Sequence, residues 1–375
     1  MLFKDVRIVT PNEVIEKGFI EIETDRIKDF GQITKPIDGV SLKGLTVMSG
    51  FIDMHIHGTA SDDFMDANAL GIKRISLNLL KEGTTSFLAT TMTQDVKSIN
   101  KALRVIGHTS CNHAKLLGVH LEGPFINKAY KGAQNENYII KGTKELFDQF
   151  QQESNQLIKL VTLAPEVQDE AFLKYLVDQN IIVSMGHSAS NSEDFKHAYN
   201  LGIKRVTHCF NAMPQIHHRE LGLTGMALLT DDCMCEAIAD GIHLSYDTLK
   251  LLHKVKQDNI TLVTDSIRAK GLKDGVYDLG GQEVKVKDKI AYTTDNALAG
   301  STLFMNQALK NMNDYVEKDL RVLTKYLSLN PAKQLGLTDI GEIKKGNIAD
   351  LVFLDDQFNV VKTMVNGEIL YEKTK

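Results

Sequence analysis

The run Gly50-Phe-Ile-Asp-Met-His-Ile-His57 indicates a short buried strand that ends in two histidines, His55 and His57. Four later apolar runs, at 116–122, 181–187, 205–208 and 260–265, end in Glu122, His187, His208 and Asp265. All six side chains are of types that bind metal ions. Short apolar runs separated by helix-like segments are typical of parallel strands, and a (β/α)8-barrel enzyme carries its polar site residues at the ends of such strands. The pattern therefore predicts a metal-dependent enzyme.

The alternation of strand and helix patterns predicts an α/β fold closed into a (β/α)8 TIM-like barrel. Helical patterns lie between most of the strands, for example at 69–81, 169–178 and 192–200. A doubly wound open sheet is the main alternative, but it gives no reason for ligands on the first, third, fifth, sixth and eighth strands to meet at one point. The eight strands are predicted at 50–57, 84–91, 115–122, 158–164, 181–187, 205–210, 235–240 and 260–265.

Both chain ends have strand patterns and predict one small β-sandwich domain. The predicted division is 1–49 and 343–375 for this domain and 50–342 for the barrel. Asn366-Gly367 is a strong hairpin signal within the last part. Between the eighth strand and the chain end, the irregular segment 268–299 predicts a hairpin near the active-site mouth, followed by a helix from Ser301.

The composition limits the kinds of partner. Of 375 residues, 43% are hydrophobic and 24% are charged, which fits one large barrel with a small extra domain. The net charge of -5 argues against general binding to nucleic acid or a membrane surface, although a local basic site could hold a phosphorylated ligand. We expect neither a signal peptide nor a membrane span. The cysteines Cys111, Cys209, Cys233 and Cys235 form no CxxC pair, and we expect reduced thiols and a cytoplasmic location.

No single candidate ligand is decisive. His55 and His57 lie on one face of a strand, yet such a pair is as well explained by two hydrogen-bonded histidines in a turn. A buried carboxylate such as Glu122 is costly unless it is paired or bound to a metal. His187 and His208 end successive strands, and Asp265 ends the last strand, beside the first. The coincidence of all six carries the metal hypothesis.

A set of motifs along the whole chain carries a family resemblance. The His-x-His motif and the motif at 341–352 are common to a superfamily, whereas the motifs that begin at His120 and Thr207 are more specific. They are Ser49-Gly-Phe-Ile-Asp-Met-His-Ile-His-Gly58, His120-Leu-Glu-Gly-Pro-Phe125, Gly186-His-Ser188, Thr207-His-Cys-Phe-Asn-Ala-Met-Pro214, Ala239-Asp-Gly-Ile-His243, Val263-Thr-Asp-Ser266, Leu298-Ala-Gly-Ser301, Asn330-Pro-Ala-Lys333 and Gly341-Glu-Ile-Lys-Lys-Gly-Asn-Ile-Ala-Asp-Leu-Val352. The chain resembles the amidohydrolase superfamily and, within it, the N-acetylglucosamine-6-phosphate deacetylase family.

The resemblance implies one or two divalent metal ions per subunit, with zinc, iron, manganese, cobalt or nickel as candidates. Glu122, His187 and His208 would hold one ion. His55 and His57, with Glu122 bridging and with Asp265, would hold the other. Glu122 takes the place of the carboxylated lysine that many superfamily members use. Because some members of the family lack His-x-His and work with one metal, the number of ions stays open.

The implied reaction is hydrolysis of N-acetyl-D-glucosamine 6-phosphate to D-glucosamine 6-phosphate and acetate. A divalent metal can lower the pKa of bound water to about 7. Asp265 would accept the proton of that water and pass it to the leaving nitrogen, and His243 would stabilise the oxyanion. Arg219 is expected to reach the neighbouring active site of a homodimer, and Gln134 stands where relatives often have histidine. The substrate contacts implied by the matching positions are Ala133, Gln134, Asn211, Ala212, Arg219, His243, Leu298, Ala299 and Gly300.

Two other kinds of function stay open. One is an amidohydrolase with another substrate, such as N-acetylgalactosamine 6-phosphate or an N-acylated amino acid. The other is a non-catalytic scaffold that keeps the barrel. Such scaffolds usually lose ligands, and this chain retains all six candidates, which argues against that alternative.

Overall fold

The structure is a computed structural model that describes residues 1–374. Its first part is a set of strands that alternate between buried and exposed side chains, as expected for a sheet with one face on a core. Ile20 and Ile22, for example, are buried two residues apart. These strands are β1 (Leu2–Val9), β2 (Val14–Glu23), β3 (Arg26–Gln32), β4 (Val40–Ser41) and β5 (Thr46–Ser49).

The barrel strands follow, and nearly all of their residues are buried, as expected for parallel strands covered by helices. The first is β6 (Phe51–Ile56), followed by a small hairpin of β7 (Gly58–Thr59) and β8 (Asp62–Asp63). The remaining strands pair in sequence order, each parallel to its neighbour, from β6 through β9 to β15. They are β9 (Thr84–Thr91), β10 (Lys115–Glu122), β11 (Ile158–Leu163), β12 (Ile182–Met185), β13 (Arg205–Val206), β14 (Met234–Ile238) and β15 (Ile260–Val263).

The barrel closes where the segment after β15 meets β6. The amide of Asp265 donates to the carbonyl of His55 at 2.8 Å, and the amide of His57 donates to the carbonyl of Ser266 at 2.9 Å. The side chain of Asp53 strengthens this seam, since its Oδ2 accepts the Thr264 hydroxyl at 2.6 Å. Within residues 1–374, the predicted eight-stranded barrel is therefore confirmed in strand number and order.

The helices between the strands are amphipathic and cover the barrel. In α2 (Val96–Gly107), the buried residues Ile99, Ala102, Leu103 and Ile106 recur at helical spacing. The side chain of Asp95 caps this helix by accepting the Ser98 amide. The other helices are α1 (Ala69–Leu79), α3 (Lys144–Glu153), α4 (Glu170–Asp178), α5 (Ser192–Asn200), α6 (Gly222–Leu229), α7 (Tyr246–Lys256), α8 (Met305–Tyr315), α9 (Leu320–Thr324) and α10 (Asn330–Gln334).

The segment after β15 contains the predicted hairpin as part of an antiparallel sheet of β16 (Gly275–Leu279), β17 (Gln282–Lys287) and β18 (Ile290–Thr293). The prediction that a helix begins at Ser301 was wrong, because α8 begins at Met305. Ser301 instead forms hydrogen bonds with the residues that follow β15. Its amide donates to the carbonyl of Asp265 at 2.7 Å and its hydroxyl to the carbonyl of Thr264 at 2.5 Å.

The last strands, β19 (Leu351–Leu354), β20 (Val360–Val365) and β21 (Glu368–Glu372), return to the first part of the chain. They join its sheet through β5, in the order β21-β20-β19-β5-β1-β2-β3, with β4 beside β1. This sheet has its own apolar core, which includes Phe3 and Phe353. The predicted small domain from both chain ends is confirmed, and its exact boundaries stay a prediction. Asn366 and Gly367 have φ of 50° and 77° in the turn between β20 and β21, as a type I′ hairpin requires.

Two predictions about the chain as a whole concern membranes and thiols. Among residues 1–374, the helices are all too short or too polar to cross a bilayer. All four cysteines are free thiols, and Cys209, Cys233 and Cys235 are buried.

Candidate metal centre and active site

The six predicted ligands converge at the C-terminal ends of the barrel strands. His55 and Glu122 lie within β6 and β10, whereas the others follow their strands by one or two residues. His187, His208 and Asp265 have φ of 47°, 30° and 47°, in the left-handed region that residues other than glycine seldom adopt. Such conformations cost about 1–3 kcal/mol each and cluster at functional sites. Here they occur at three of the converging residues, at the points where the backbone leaves the strands.

Glu122 is the centre of the cluster. Its Oε1 lies 3.2 Å from His187 Nε2, 3.3 Å from His208 Nε2 and 3.4 Å from His55 Nε2. Its Oε2 lies 3.3 Å from His57 Nε2. The ligand atoms therefore form two groups that share Glu122, one with His55 and His57 and the other with His187 and His208. This is the division that the family resemblance implied.

Asp265 stands beside the first of these groups. Its Oδ1 lies 3.3 Å from His55 Nε2 and 3.2 Å from His57 Nε2. Asp265 is buried but still faces the cavity described below. It is therefore placed both to complete the His55–His57 group and to contact a molecule bound in that cavity.

The chemistry of these atoms fits divalent transition-metal ions. Four imidazole Nε2 atoms face carboxylate oxygens in a buried space, and the Nε2 atoms of His187 and His208 lie only 3.1 Å apart. The opposite nitrogens of two of the rings have acceptors, since His187 Nδ1 donates to the carbonyl of Tyr130 at 2.9 Å and His55 Nδ1 to Glu236 at 3.0 Å. A ring that donates from Nδ1 presents the lone pair of Nε2 inward, which is the usual arrangement of a metal-bound histidine. Nitrogen and carboxylate ligands together suit zinc, iron, cobalt, nickel and manganese.

The electrostatics of the cluster also favour a cation. Burial lowers the pKa of His57, but the carboxylates of Asp265 and Glu122 outweigh this effect and raise it to about 9. Burial would raise the pKa of Glu122, yet His55 and the other histidines hold it well below its usual range. A site that stabilises protonated histidines beside ionised carboxylates is a site of negative potential, and it would also stabilise a metal ion.

The reasoning from sequence missed Glu236, which lies behind the histidines. It is fully buried within β14, where its Oε1 accepts Arg205 Nη2 at 2.6 Å. Its Oε2 accepts His55 Nδ1 at 3.0 Å and the amide of His208 at 3.2 Å. Burial would raise the pKa of Glu236, but Arg205 and His55 hold it well below its usual range. The signal in the sequence was a glutamate inside an otherwise apolar strand.

His243 follows β14 and is held by its own loop. Its Nδ1 contacts Asp240 Oδ2 at 2.7 Å, while Asp240 Oδ1 accepts the amides of Ile242 and His243, each at 2.8 Å. Burial lowers the pKa of His243, but the hydrogen bond to Asp240 raises it above its ordinary value. The arrangement fixes the ring, with Nδ1 occupied and Nε2 left for a ligand.

A cavity of about 260 Å³ contains most of the predicted site. Five of the six predicted ligands line it, and His55 lies behind them. Met92 and Leu279 form an apolar part of its wall. This volume lies just below the range of about 300–1,000 Å³ that is usual for small-molecule sites. The predicted substrate-contacting residues on its wall are Ala133, Gln134, Asn211, Ala212, His243, Leu298 and Gly300.

Two predicted substrate-contacting residues lie elsewhere. Ala299 is completely buried in the small apolar core beneath the sheet of β16–β18. Arg219 is exposed on the loop before α6, where its Nη1 contacts His218 Nε2 at 2.5 Å. Neither side chain lines the cavity of its own chain.

Gln134 lines the cavity but is already engaged on both ends of its amide. Its Nε2 donates to Glu122 Oε2 at 2.7 Å, and its Oε1 accepts the amide of Thr93 at 2.8 Å. Gln134 therefore orients the shared carboxylate. Sequence reasoning gave it only a substrate contact.

The sheet of β16–β18 forms a roof over the cavity. Its side chains Leu279, Val284 and Val286 pack with Met92 in an apolar cluster. Gln282 donates to the carbonyl of Ala133, which ties the roof to the cavity wall. A second cavity, of about 640 Å³, lies against this sheet. It is larger but shares only His243 and Gly300 with the first cavity and contains none of the predicted ligands, so the smaller cavity is the candidate active site.

Comparison with known proteins agrees with this geometry. Residues 46–370 match the model of the amidohydrolase family. The chain is 41% identical to N-acetylglucosamine-6-phosphate deacetylase of Bacillus subtilis (strain 168), over 99% of this chain and 97% of the relative. The chain belongs to the amidohydrolase family. The prediction of an enzyme of this family, made from its motifs, is confirmed.

Solved structures extend the match to three dimensions. The N-acetylglucosamine-6-phosphate deacetylase of Thermotoga maritima is 38% identical, with a TM-score of 0.90 and complete coverage of both chains. A mutant of the Mycobacterium smegmatis enzyme, solved in complex with N-acetyl-D-glucosamine-6-phosphate, is 26% identical, with a TM-score of 0.94 and 99% coverage of both chains. The amidohydrolase therefore shares its whole fold with these deacetylases.

Proposed function

We propose that this amidohydrolase converts N-acetyl-D-glucosamine 6-phosphate and water to D-glucosamine 6-phosphate and acetate. The observation that carries the proposal is the joint placement of both ligand groups, Asp265 and His243 on one small cavity. The relatives named above support the choice of substrate. The fit of the ligand atoms supports one or two divalent ions, held by Glu122, His187 and His208 and by His55, His57, Glu122 and Asp265.

A divalent ion in these groups would supply Lewis acidity, which makes water a better nucleophile and a carbonyl a better electrophile. Asp265 accepts one proton of the attacking water as the oxygen–carbon bond forms. It then delivers that proton to the amide nitrogen as the carbon–nitrogen bond breaks, so that the amine leaves neutral. The position of Asp265, within reach of both the histidine group and the cavity, supports this double role.

In its doubly protonated form, which the hydrogen bond to Asp240 favours by raising the pKa of His243, the ring donates a hydrogen bond from Nε2 to the acetyl oxygen and stabilises the negative charge that develops there. Asp240 keeps the ring in place and keeps Nδ1 occupied. A donor that is oriented before the reaction begins contributes about 3 kcal/mol to the transition state. Within residues 1–374, neither His243 nor Asp240 makes a hydrogen bond to a predicted metal ligand.

The phosphate group requires donors of its own. Asn211 and Ala212 lie on the cavity wall. The amide of Asn211 already donates to the carbonyl of His208 at 2.9 Å, so we assign the backbone N–H of Ala212 to the phosphate. Arg219 adds charge and a forked donor, but its loop is exposed and does not line the cavity of its own chain. We place Arg219 at the active site of a second subunit in a homodimer.

The test is acetate release by the purified protein, with metal content measured on the same sample. The substrates are N-acetylglucosamine 6-phosphate, N-acetylglucosamine and N-acetylgalactosamine 6-phosphate. The proposal expects preferred turnover of the first, lost with a chelator and restored by a divalent ion. Preference for the galactose epimer would move the assignment to that sugar. Acetate from none of them, with metal bound, would refute the deacetylase proposal.

The dimer is tested by mixing two inactive variants, Asp265→Asn and Arg219→Ala, after dissociation and reassembly. If Arg219 acts on the neighbouring site, each mixed dimer regains one intact site, and about a quarter of all sites recover in a random 1:1 mixture. If Arg219 acts within its own chain, no such recovery occurs. If it has no role, Arg219→Ala is already active before mixing, which refutes the assignment directly. Arg321→Ala, which removes an exposed arginine paired with Asp319, is the control in place of Arg219→Ala.

A further inference from the structure

Glu236 contacts one ligand from each half of the metal centre. Its Oε2 accepts the ring Nδ1 of His55 at 3.0 Å and the backbone amide of His208 at 3.2 Å. His55 belongs to the first ligand group and His208 to the second. One oxygen atom therefore positions a side chain of one group and the backbone of the other.

The bond to His55 selects the form of the ring that binds a metal ion. A carboxylate can only accept a hydrogen bond, so His55 must carry its hydrogen on Nδ1. In the neutral form that a metal ion requires, the lone pair of the ring is then on Nε2, which lies 3.4 and 3.3 Å from Glu122 and Asp265. This Nε2 is buried and makes no hydrogen bond with any part of residues 1–374, which is what an orphaned metal ligand looks like.

The bond to His208 acts on the backbone. His208 has a φ of 30°, so the chain must be held at this point for its ring to face Glu122. The amide of His208 donates to Glu236, and the next amide, that of Cys209, donates to the carbonyl of Glu236 at 3.0 Å. Glu236 thus fixes the turn at two successive amides, that of His208 through its side chain and that of Cys209 through its backbone carbonyl.

Arg205 holds Glu236 in turn. Its Nη2 lies 2.6 Å from Glu236 Oε1, and both side chains are almost completely buried. Arg205 and Glu236 lie on adjacent strands, since Arg205 pairs with Met234 in the register of β13 and β14. The guanidinium occupies one carboxylate oxygen and leaves the other directed at His55 and His208.

We infer that Glu236, oriented by Arg205, is a positioning residue for both halves of the metal centre. The inference rests on the proposed metal-dependent function. Removing the charge of Glu236 weakens metal binding by both ligand groups, because the carboxamide that replaces it offers one acceptor and one donor. If its oxygen faces Arg205, its NH2 group faces two N–H donors, of His55 and His208, and the His55 ring must turn or change its tautomer.

The test measures zinc binding directly, without substrate, in chelator-buffered Zn²⁺ solutions. Loss of a group that orients a metal-bound histidine typically weakens metal affinity about 10–100-fold. We expect Glu236→Gln to show such a loss, together with a smaller rise in Tm when zinc is added. The matched control is Glu82→Gln, since Glu82 is also fully buried and pairs with a buried cation, Lys270 Nζ, at 2.6 Å, away from the six ligands. It should lower Tm equally with and without zinc and leave zinc affinity within about twofold.

A second variant separates positioning from folding. Glu236→Met combined with Arg205→Met removes both buried charges, and apolar replacement of a whole buried ion pair is often tolerated. It still deprives His55 of its acceptor, so zinc affinity must fall as in Glu236→Gln. Unchanged zinc affinity in either folded variant, or an equal loss in Glu82→Gln, overturns the inference. A wild-type protein that binds no divalent metal overturns the proposed function instead, which keeps the two failures distinct.

Discussion

Replacing His243 by glutamine should reduce catalysis without reducing metal binding. His243 is hydrogen-bonded to Asp240 at 2.7 Å and lines the same cavity as Asp265. Among residues 1–374, none of its hydrogen bonds reaches one of the six predicted ligands. The loss of one oriented donor to a developing oxyanion costs about 2.7–4 kcal/mol, or a factor of about 100–1,000 in kcat. The fold should survive, because Asp240 still accepts the amides of residues 242 and 243 and the cost of the lost side-chain bond is only about 1.5–3 kcal/mol.

The assay is the steady-state rate of acetate release, with metal content determined on the same preparation. KM should change little, since the interaction develops mainly in the transition state. His253→Gln is the matched control. The Nε2 atom of this histidine also contacts a carboxylate, that of Glu317, at 3.0 Å, but the residue lies on α7 away from the cavity. A kcat for His243→Gln within about threefold of the wild type, with metal bound, would refute the role in charge stabilisation. A fall in kcat that follows a fall in metal content would do the same.

Three further variants test the site and its scaffold. Glu122→Gln should lower the metal content of both ligand groups and abolish turnover, because Glu122 is the ligand they share. Elemental analysis that finds one group still filled would contradict the shared role. Glu82→Gln should lower the free energy of unfolding by about 3–5 kcal/mol, measured by urea denaturation, because it leaves buried Lys270 without its partner. Gly50→Ala should cost about 1–3 kcal/mol in the same assay, because a Cβ there would lie 2.3 Å from the side chain of Thr85, and an unchanged midpoint would contradict this packing.

Much of the fold and the ligand set could be predicted because their signals are local. A parallel strand buried on both faces is a short apolar run, and the ligand stands at its end, as in Leu116 to Glu122. When eight such strands close into a barrel, their C-terminal ends meet on one side, whatever the exact register between neighbouring strands. The hairpin at Asn366-Gly367 is equally local, since the turn needs two residues that tolerate positive φ.

The contacts between distant segments could not be predicted in the same way. Glu236 and Arg205 are 31 residues apart, and their bond depends on the register of two short strands. The engagement of Gln134 with Glu122 depends on the path of the loop between them, which contains the short 3-10 turn Lys128–Tyr130. The start of α8 was misplaced because Ser301 is part of the barrel seam, where its hydroxyl donates to the carbonyl of Thr264, and the helix begins only at Met305.

The charges of the site lead to a last prediction, about protons. Of the three buried carboxylates in the cluster, Glu236 pairs with the guanidinium of Arg205, whereas Glu122 and Asp265 contact histidines. The metal-free cluster therefore needs further positive charge. Protons on the histidines supply it: the pKa of His57 is raised to about 9, against an ordinary value near 6.5.

A metal ion must displace such a proton before it can bind to the same nitrogen, so zinc binding at pH 7 should release protons. A raised histidine pKa stabilises the metal-free fold fully below about pH 6.5, and this contribution is lost as the pH rises through about 9. The increase in Tm on adding zinc should therefore grow between these limits, because the competing proton is lost while the metal ligand is gained. Calorimetric titration in buffers of different ionisation enthalpy measures the protons released. A zinc affinity that stays constant from pH 6.5 to 9, with no proton release, would show that the histidines are neutral before the metal arrives and that the excess negative charge is balanced elsewhere.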